Sequence, residues 1–71
     1  MRSMNVEVTA NGEKRLLPAG STVMDLLDHL GLGARWVLVE LNGQPVERAN
    51  LTVTSLADGD RLELVRAVAG G

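Results

Sequence analysis

One histidine, nine carboxylates and no cysteine in 71 residues leave few side chains that could do chemistry. His29 has no second ligand or nucleophile at a recognisable spacing and reads as an exposed helix residue. Asp58 and Asp60 flank Gly59, but two carboxylates fall short of the ligand set of a calcium loop, so Asp58-Gly59-Asp60 reads as a tight turn. Ser21 and Thr22 have no base to activate them, and Thr22 is better placed as a helix cap. Neither G-x-x-x-x-G-K nor G-x-G-x-x-G is present, so the chain carries no nucleotide fingerprint of its own. The group that stands out is on the backbone, where the sequence closes Ala67-Val68-Ala69-Gly70-Gly71. At the average glycine usage of about 7%, roughly one chain in 200 would close on Gly-Gly by chance. Without β-carbons such a segment is slender and conformationally free, and the four residues from Val68 reach roughly 13–14 Å when extended. It could thread a narrow channel into another enzyme's active site. A free α-carboxyl, with a pKa of about 3.3–3.7, is ionised and a poor electrophile. To react it must be activated, most simply as an acyl-adenylate, and a separate ATP-using enzyme must do this.

The rest of the chain has to position that terminus. A single small domain is all the length allows, burying only about 60% of its unfolded surface. Disulfides and metal usually compensate at this size; without cysteine, the core must come from Leu and Val on regular elements. Seven basic and nine acidic residues are interspersed, with no basic run to track phosphates, so nucleic acid is not expected as a partner. No apolar stretch approaches the roughly 20 residues of a membrane span, and Met1-Arg2-Ser3-Met4 does not open a signal peptide. A soluble, cytoplasmic domain with no membrane partner is expected, too small to build a substrate cleft of its own.

Met4-Asn5-Val6-Glu7-Val8-Thr9 alternates apolar and polar as a strand does, Asn11-Gly12 is a hairpin signal, and Lys14-Arg15-Leu16-Leu17 reads as the return strand, stopped by Pro18 and Gly20. One helix is predicted over residues 23–30. Thr22 and Asp25 form a capping box, Val23, Leu26, Leu27 and Leu30 make one apolar stripe, and Gly31 suits a left-handed C-terminal cap. Trp36-Val37-Leu38-Val39-Glu40-Leu41 reads as a central strand whose near-continuous apolar character predicts cover on both faces. Asn42-Gly43 is a second hairpin signal leading into Gln44-Pro45-Val46, which Pro45 confines to a sheet edge. Arg48-Ala49-Asn50 reads as a turn, and residues 51–56 as a weak edge strand or irregular chain. Arg61-Leu62-Glu63-Leu64-Val65 is a final strand continuing toward Val68, with Leu62 and Leu64 facing the core and Arg61, Glu63 and Val65 facing away.

This order predicts an α+β domain of β-grasp type over residues 1–66, a mixed sheet of four to five strands packed on one main helix. Residues 67–71 are expected as a flexible tail. Trp36 reads either as packing surface or as a partner anchor. Val65, with Leu38 as its neighbour on the face away from the helix, reads either as scattered surface hydrophobic or as part of a docking patch.

Three blocks are similar to the ThiS type of ubiquitin-like sulfur carrier, which serves thiamin biosynthesis. Thr22-Val23-Met24-Asp25-Leu26-Leu27 resembles that family's helix start. Val37-Leu38-Val39-Glu40-Leu41-Asn42-Gly43 resembles its strand and turn, and the run from Asp58 to Gly71 its last strand and tail. The resemblance covers nearly the whole chain from Met4. It implies a carrier that is not itself an enzyme and binds no cofactor. An E1-like adenylyltransferase uses ATP to adenylylate Gly71, a sulfur donor system converts the adenylate to a thiocarboxylate, and a thiazole synthase takes the sulfur. Gly70 would supply the thin approach, and Val65, Arg66 and Val68 would guide the tail into partner clefts. The related molybdopterin-synthase small subunit shares the fold and the Gly-Gly end but has a Pro-rich approach to the tail, where this chain has Arg66-Ala67-Val68-Ala69. Ala69 departs from the third glycine frequent in the family. A molybdopterin-synthase small-subunit-like carrier, sulfur transfer in a secondary-metabolite pathway, a ubiquitin-like protein modifier and, as a third class, a binding-only module remain the alternatives. The two activated-carboxyl classes separate by the adduct formed at Gly71; the third should survive deletion of Gly70-Gly71.

Overall fold

Two Asn-Gly turns set the register of the sheet. Asn11 and Asn42 both have φ 51°, and Gly12 and Gly43 both have φ 84°. Positive φ at both central residues is the two-residue hairpin turn whose twist matches that of the flanking strands. The first joins β1 (Asn5–Ala10) to β2 (Glu13–Pro18), closing on the pair Ala10 and Glu13. The second joins β3 (Val37–Leu41) to β4 (Gln44–Val46), closing on Leu41 and Gln44. β5 (Arg61–Arg66) lies between the hairpins, parallel to β1 and antiparallel to β3, giving a five-stranded mixed sheet ordered β2-β1-β5-β3-β4. The computed structural model describes residues 4–66. Val68, Gly70 and Gly71, the predicted tail 67–71 and the continuation of the last strand toward Val68 lie outside the described residues.

One helix, α1 (Val23–His29), packs on one face of this sheet. Seven residues are far below the roughly 12–15 that stand alone in water, so caps and packing must hold it. The Asp25 N–H donates to Thr22 Oγ1 (3.2 Å) and the Thr22 N–H to Asp25 Oδ2 (2.8 Å), the expected capping box. The irregular chain after β4 supplies the other two acceptors. The Val23 N–H donates to the Thr54 carbonyl and the Met24 N–H to the Leu51 carbonyl, both at 3.0 Å. All four donors of the helix start are thereby satisfied. At the other end Gly31 takes φ 72°; its N–H donates to Asp28 O, and the Leu32 N–H reaches back to Leu27 O. These two bonds make a Schellman cap.

Val23, Leu26 and Leu27 of α1 are buried against Val8 and Ala10 of β1, Leu17 of β2, Val37 and Val39 of β3, and Leu62 and Leu64 of β5. Leu51 and Leu56 close this core from the irregular segment, which includes a short 3-10 helix (Arg48–Asn50) and touches the helix entrance through the Thr22–Ser55 bridge. The irregular alternative for residues 51–56 is therefore the one adopted. No buried side-chain nitrogen or oxygen among the described residues lacks a hydrogen-bond partner.

The apolar run from Trp36 differs from expectation in two respects. Trp36 ends a 3-10 helix (Ala34–Trp36), so the strand begins at Val37. Nor is the strand covered on both faces. Val37 and Val39 are buried, whereas Leu38 is 64% exposed and Glu40 is also exposed. The helix and the irregular segment lie against the same face of the sheet, so the opposite face stays open whatever residue occupies it. At the sheet centre is β5; β3 lies one strand out. The remaining boundaries shift by a residue: β2 begins at Glu13 and includes Pro18, and α1 ends at His29 with Leu30 as its cap.

Candidate functional site

β5 carries the chain toward its terminus, and two asparagines hold it. The parallel partner β1 stops at Ala10, opposite Leu62, while β5 continues to Arg66. Beyond the last β1 pair the Asn11 side chain takes over. Its Nδ2 donates to the Leu64 carbonyl (3.0 Å), and its Oδ1 accepts from the Leu64 N–H (2.7 Å). The amide thus satisfies both main-chain groups of Leu64 as a neighbouring strand would. At the start of β5, Asn42 Oδ1 accepts from the Arg61 N–H and Asn42 Nδ2 donates to Asp60 Oδ1, each at 2.9 Å. On the β3 side the pairing runs without a break from Leu41 and Leu62 to Val37 and Arg66.

Val65 and Leu38 are directly opposite each other on the open face, 57% and 64% exposed. The next pair on that face is Glu40 and Glu63, both exposed and directly opposed. Opposed like charges destabilise a sheet. The only ion pair among the described residues is Arg15 with Glu13, well away from them. Arg66, also exposed, pairs with Val37. Trp36 immediately precedes Val37 and so stands at the end of the sheet where β5 leaves; it is 51% exposed, with the Arg35 guanidinium 5.7 Å from its ring centre. The expected neighbours Val65 and Leu38 are thus brought together. Leu16, the other large exposed apolar residue of this face, sits opposite Glu7 on β2, away from that end.

The side chains weighed for chemistry of their own are occupied structurally. Asp58 Oδ1 accepts from the Glu7 N–H and Asp60 Oδ2 from the Ala57 N–H, both at 2.7 Å, so the two aspartates tie the turn before β5 to the sheet. The Ser21 hydroxyl donates to the Pro18 carbonyl, and His29 is exposed at the end of α1. Among the described residues no group of three or more His, Cys, Asp or Glu could hold a metal ion, and no helix is long and apolar enough to cross a membrane. The opposition of Glu40 to Glu63 and the pairing of Asn11 with Leu64 escaped the sequence reading. The first needs the β3–β5 register and the second the β1–β5 register, and both are set by tertiary pairing. The Asn-Gly motifs were visible, but as turns only.

The ThiS family model matches residues 4–71, all but the first three residues of the chain. The chain belongs to the ThiS family. Among solved structures it is similar to the crystal structure of a thiamine biosynthesis protein (ThiS) from Geobacter metallireducens. That match has 35% identity and a TM-score of 0.76, over 96% of this chain and 100% of the other. A solution structure of a thiamine biosynthesis protein from the same organism matches with TM-score 0.70 and 35% identity, over 96% of this chain and 88% of that one. A thiazole synthase of Paramagnetospirillum magneticum is 38% identical over 66 residues, 93% of this chain. The chain spans only 20% of that relative's length. For a ThiS-family chain, the sheet order and the single capped helix described above are the expected β-grasp fold.

Proposed function

We propose that this chain is a cytoplasmic sulfur carrier of thiamin biosynthesis, a cosubstrate of its partners rather than a catalyst. The observation that carries the reading is the family match, which runs through Gly70 and Gly71. On an E1-like partner the Gly71 carboxylate attacks the α-phosphorus of ATP, releasing pyrophosphate and forming an acyl-adenylate. A sulfur nucleophile from a donor system then displaces AMP and leaves a thiocarboxylate. A thiazole synthase takes the sulfur into its substrate as the Gly71 C–S bond breaks, and an oxygen from water or from the acceptor substrate forms the C–O bond that returns Gly71 to a carboxylate. ATP is bound by the activating partner, and this chain holds no cofactor. The similarity of the chain to one fifth of a thiazole synthase supports that enzyme as the consumer. ATP-dependent activation fits a cytoplasmic setting.

Val65, Arg66 and Val68 guide the tail into the partner clefts, and Gly70 keeps its approach thin. The exposure of Val65 and Arg66 at the end of β5, with Leu38 beside Val65, supports this assignment. An apolar pair of this kind is suited to serial docking with more than one enzyme.

Intact-mass analysis after incubation with ATP, the E1-like enzyme and a sulfur source tests the reading. The expected product carries one sulfur in place of oxygen at Gly71. Isopeptide adducts on lysines of other proteins would instead make the chain a modifier.

A further inference from the structure

We propose that Asn11 is a positioning residue for the tail, its side-chain amide fixing the direction in which β5 leaves the sheet. The inference rests on the carrier function above for its kinetic consequence, and on geometry alone for its structural one.

β5 has two neighbours as far as Leu62 and one thereafter, because β1 ends at Ala10. At Leu64 its main-chain partner on the β1 side is the Asn11 amide, at 2.7 and 3.0 Å. On the β3 side Val37, opposite Arg66, is the first residue of its strand, so this end is a strand terminus on both sides. Strand ends held from one side open locally at little cost in free energy. Asn11 sits at φ 51°, a backbone state that asparagine tolerates and that aims its short amide across the gap. Its contact spans 53 positions in sequence, so the hairpin turn at one end of the chain grips the strand that precedes the other.

When the end of β5 opens, the direction in which β5 leaves the sheet at Arg66 is no longer fixed. A partner that captures the tail in one direction then sees only the competent fraction of carrier, and apparent affinity falls by that fraction. The chemical step on captured carrier is untouched. Loss of Asn11 therefore raises KM for the carrier and spares kcat.

Asn42 provides the internal control. It has the same φ in the same kind of turn and also accepts a β5 N–H through Oδ1, but at Arg61, the opposite end of the strand. Glycine at either position keeps the positive φ while deleting the amide. Asn11→Gly and Asn42→Gly are compared in full-length carrier by amide exchange and by adenylation kinetics with the E1-like enzyme at varied carrier concentration. Asn11→Gly is expected to speed exchange at Leu64 and Val65 and to raise KM by about fivefold to tenfold, as two lost hydrogen bonds allow, with kcat within about twofold. Asn42→Gly, at a comparable loss of thermal midpoint, leaves KM and exchange at Leu64 and Val65 unchanged. Equal KM changes in both variants, or none in either, would overturn the proposal and make Asn11 a turn residue only. If the unmutated chain is not adenylated at all, the carrier reading fails, and the exchange data still decide the geometry. Selective loss of protection at Leu64 and Val65 in Asn11→Gly upholds it, and uniform loss overturns it.

Discussion

At the scale of the residue, reactivity is assigned to a backbone carboxyl, and the side chains serve it by position. Removing Gly71, or extending the chain past it, is expected to abolish thiocarboxylate formation and leave the thermal midpoint unchanged, because glycine has no side chain to bury in a core. Sulfur transfer by an untrimmed extended variant would refute the assignment. Val68→Asp should weaken binding to the activating enzyme or the synthase by placing a charge in the apolar approach, again at constant midpoint. Titration calorimetry showing unaltered affinity would remove its guiding role. Leu38→Ser tests the neighbouring surface. Leu38 is 64% exposed, so its replacement should change stability by no more than about 0.5 kcal/mol while lowering partner affinity. A stability loss without an affinity loss would show that the open face is merely a wall of the domain.

Among the elements, local rules explain the helix and the hairpins and fail at the strand after Trp36. The capping box, the apolar stripe and the glycine stop are all contained within residues 22–31, so their signals need no distant partner. Thr22→Ala removes the acceptor of the Asp25 N–H and should cost about 1 kcal/mol, read as a lower urea midpoint at constant m-value. The strand Val37–Leu41 was legible as a strand but not in its surroundings. A run of apolar residues signals burial on both faces only if something covers the second face, and that depends on where the single helix and the irregular segment settle. Residues 51–56 were ambiguous for the same reason. Leu51 and Leu56 are apolar enough for a strand, yet their segment is held by α1, whose entrance takes the Leu51 and Thr54 carbonyls as acceptors.

For the molecule as a whole, a small core must be nearly complete to be stable. A domain of 71 residues has about 4–11 kcal/mol of total stability at the usual 0.05–0.15 kcal/mol per residue. Leu62, fully buried at the sheet centre, should cost about 2–5 kcal/mol as Leu62→Ala. That is enough to unfold a large fraction of the variant at physiological temperature, as circular dichroism melting would show. The sequence by itself determined the helix and its apolar stripe, the two hairpins and their turn chemistry, the inward Leu62 and Leu64 and the Gly-Gly close, because each is written in neighbouring residues. It also carried the family resemblance, since the three matching blocks are contiguous stretches. Only the tertiary structure decided that β5 lies at the centre of the sheet, that Glu40 meets Glu63 and that Asn11 grips Leu64. Those facts depend on how β5 pairs with β3 on one side and, across some fifty positions of sequence, with β1 on the other. No local pattern encodes such a register; it emerges when the hairpins bury their apolar faces against one helix.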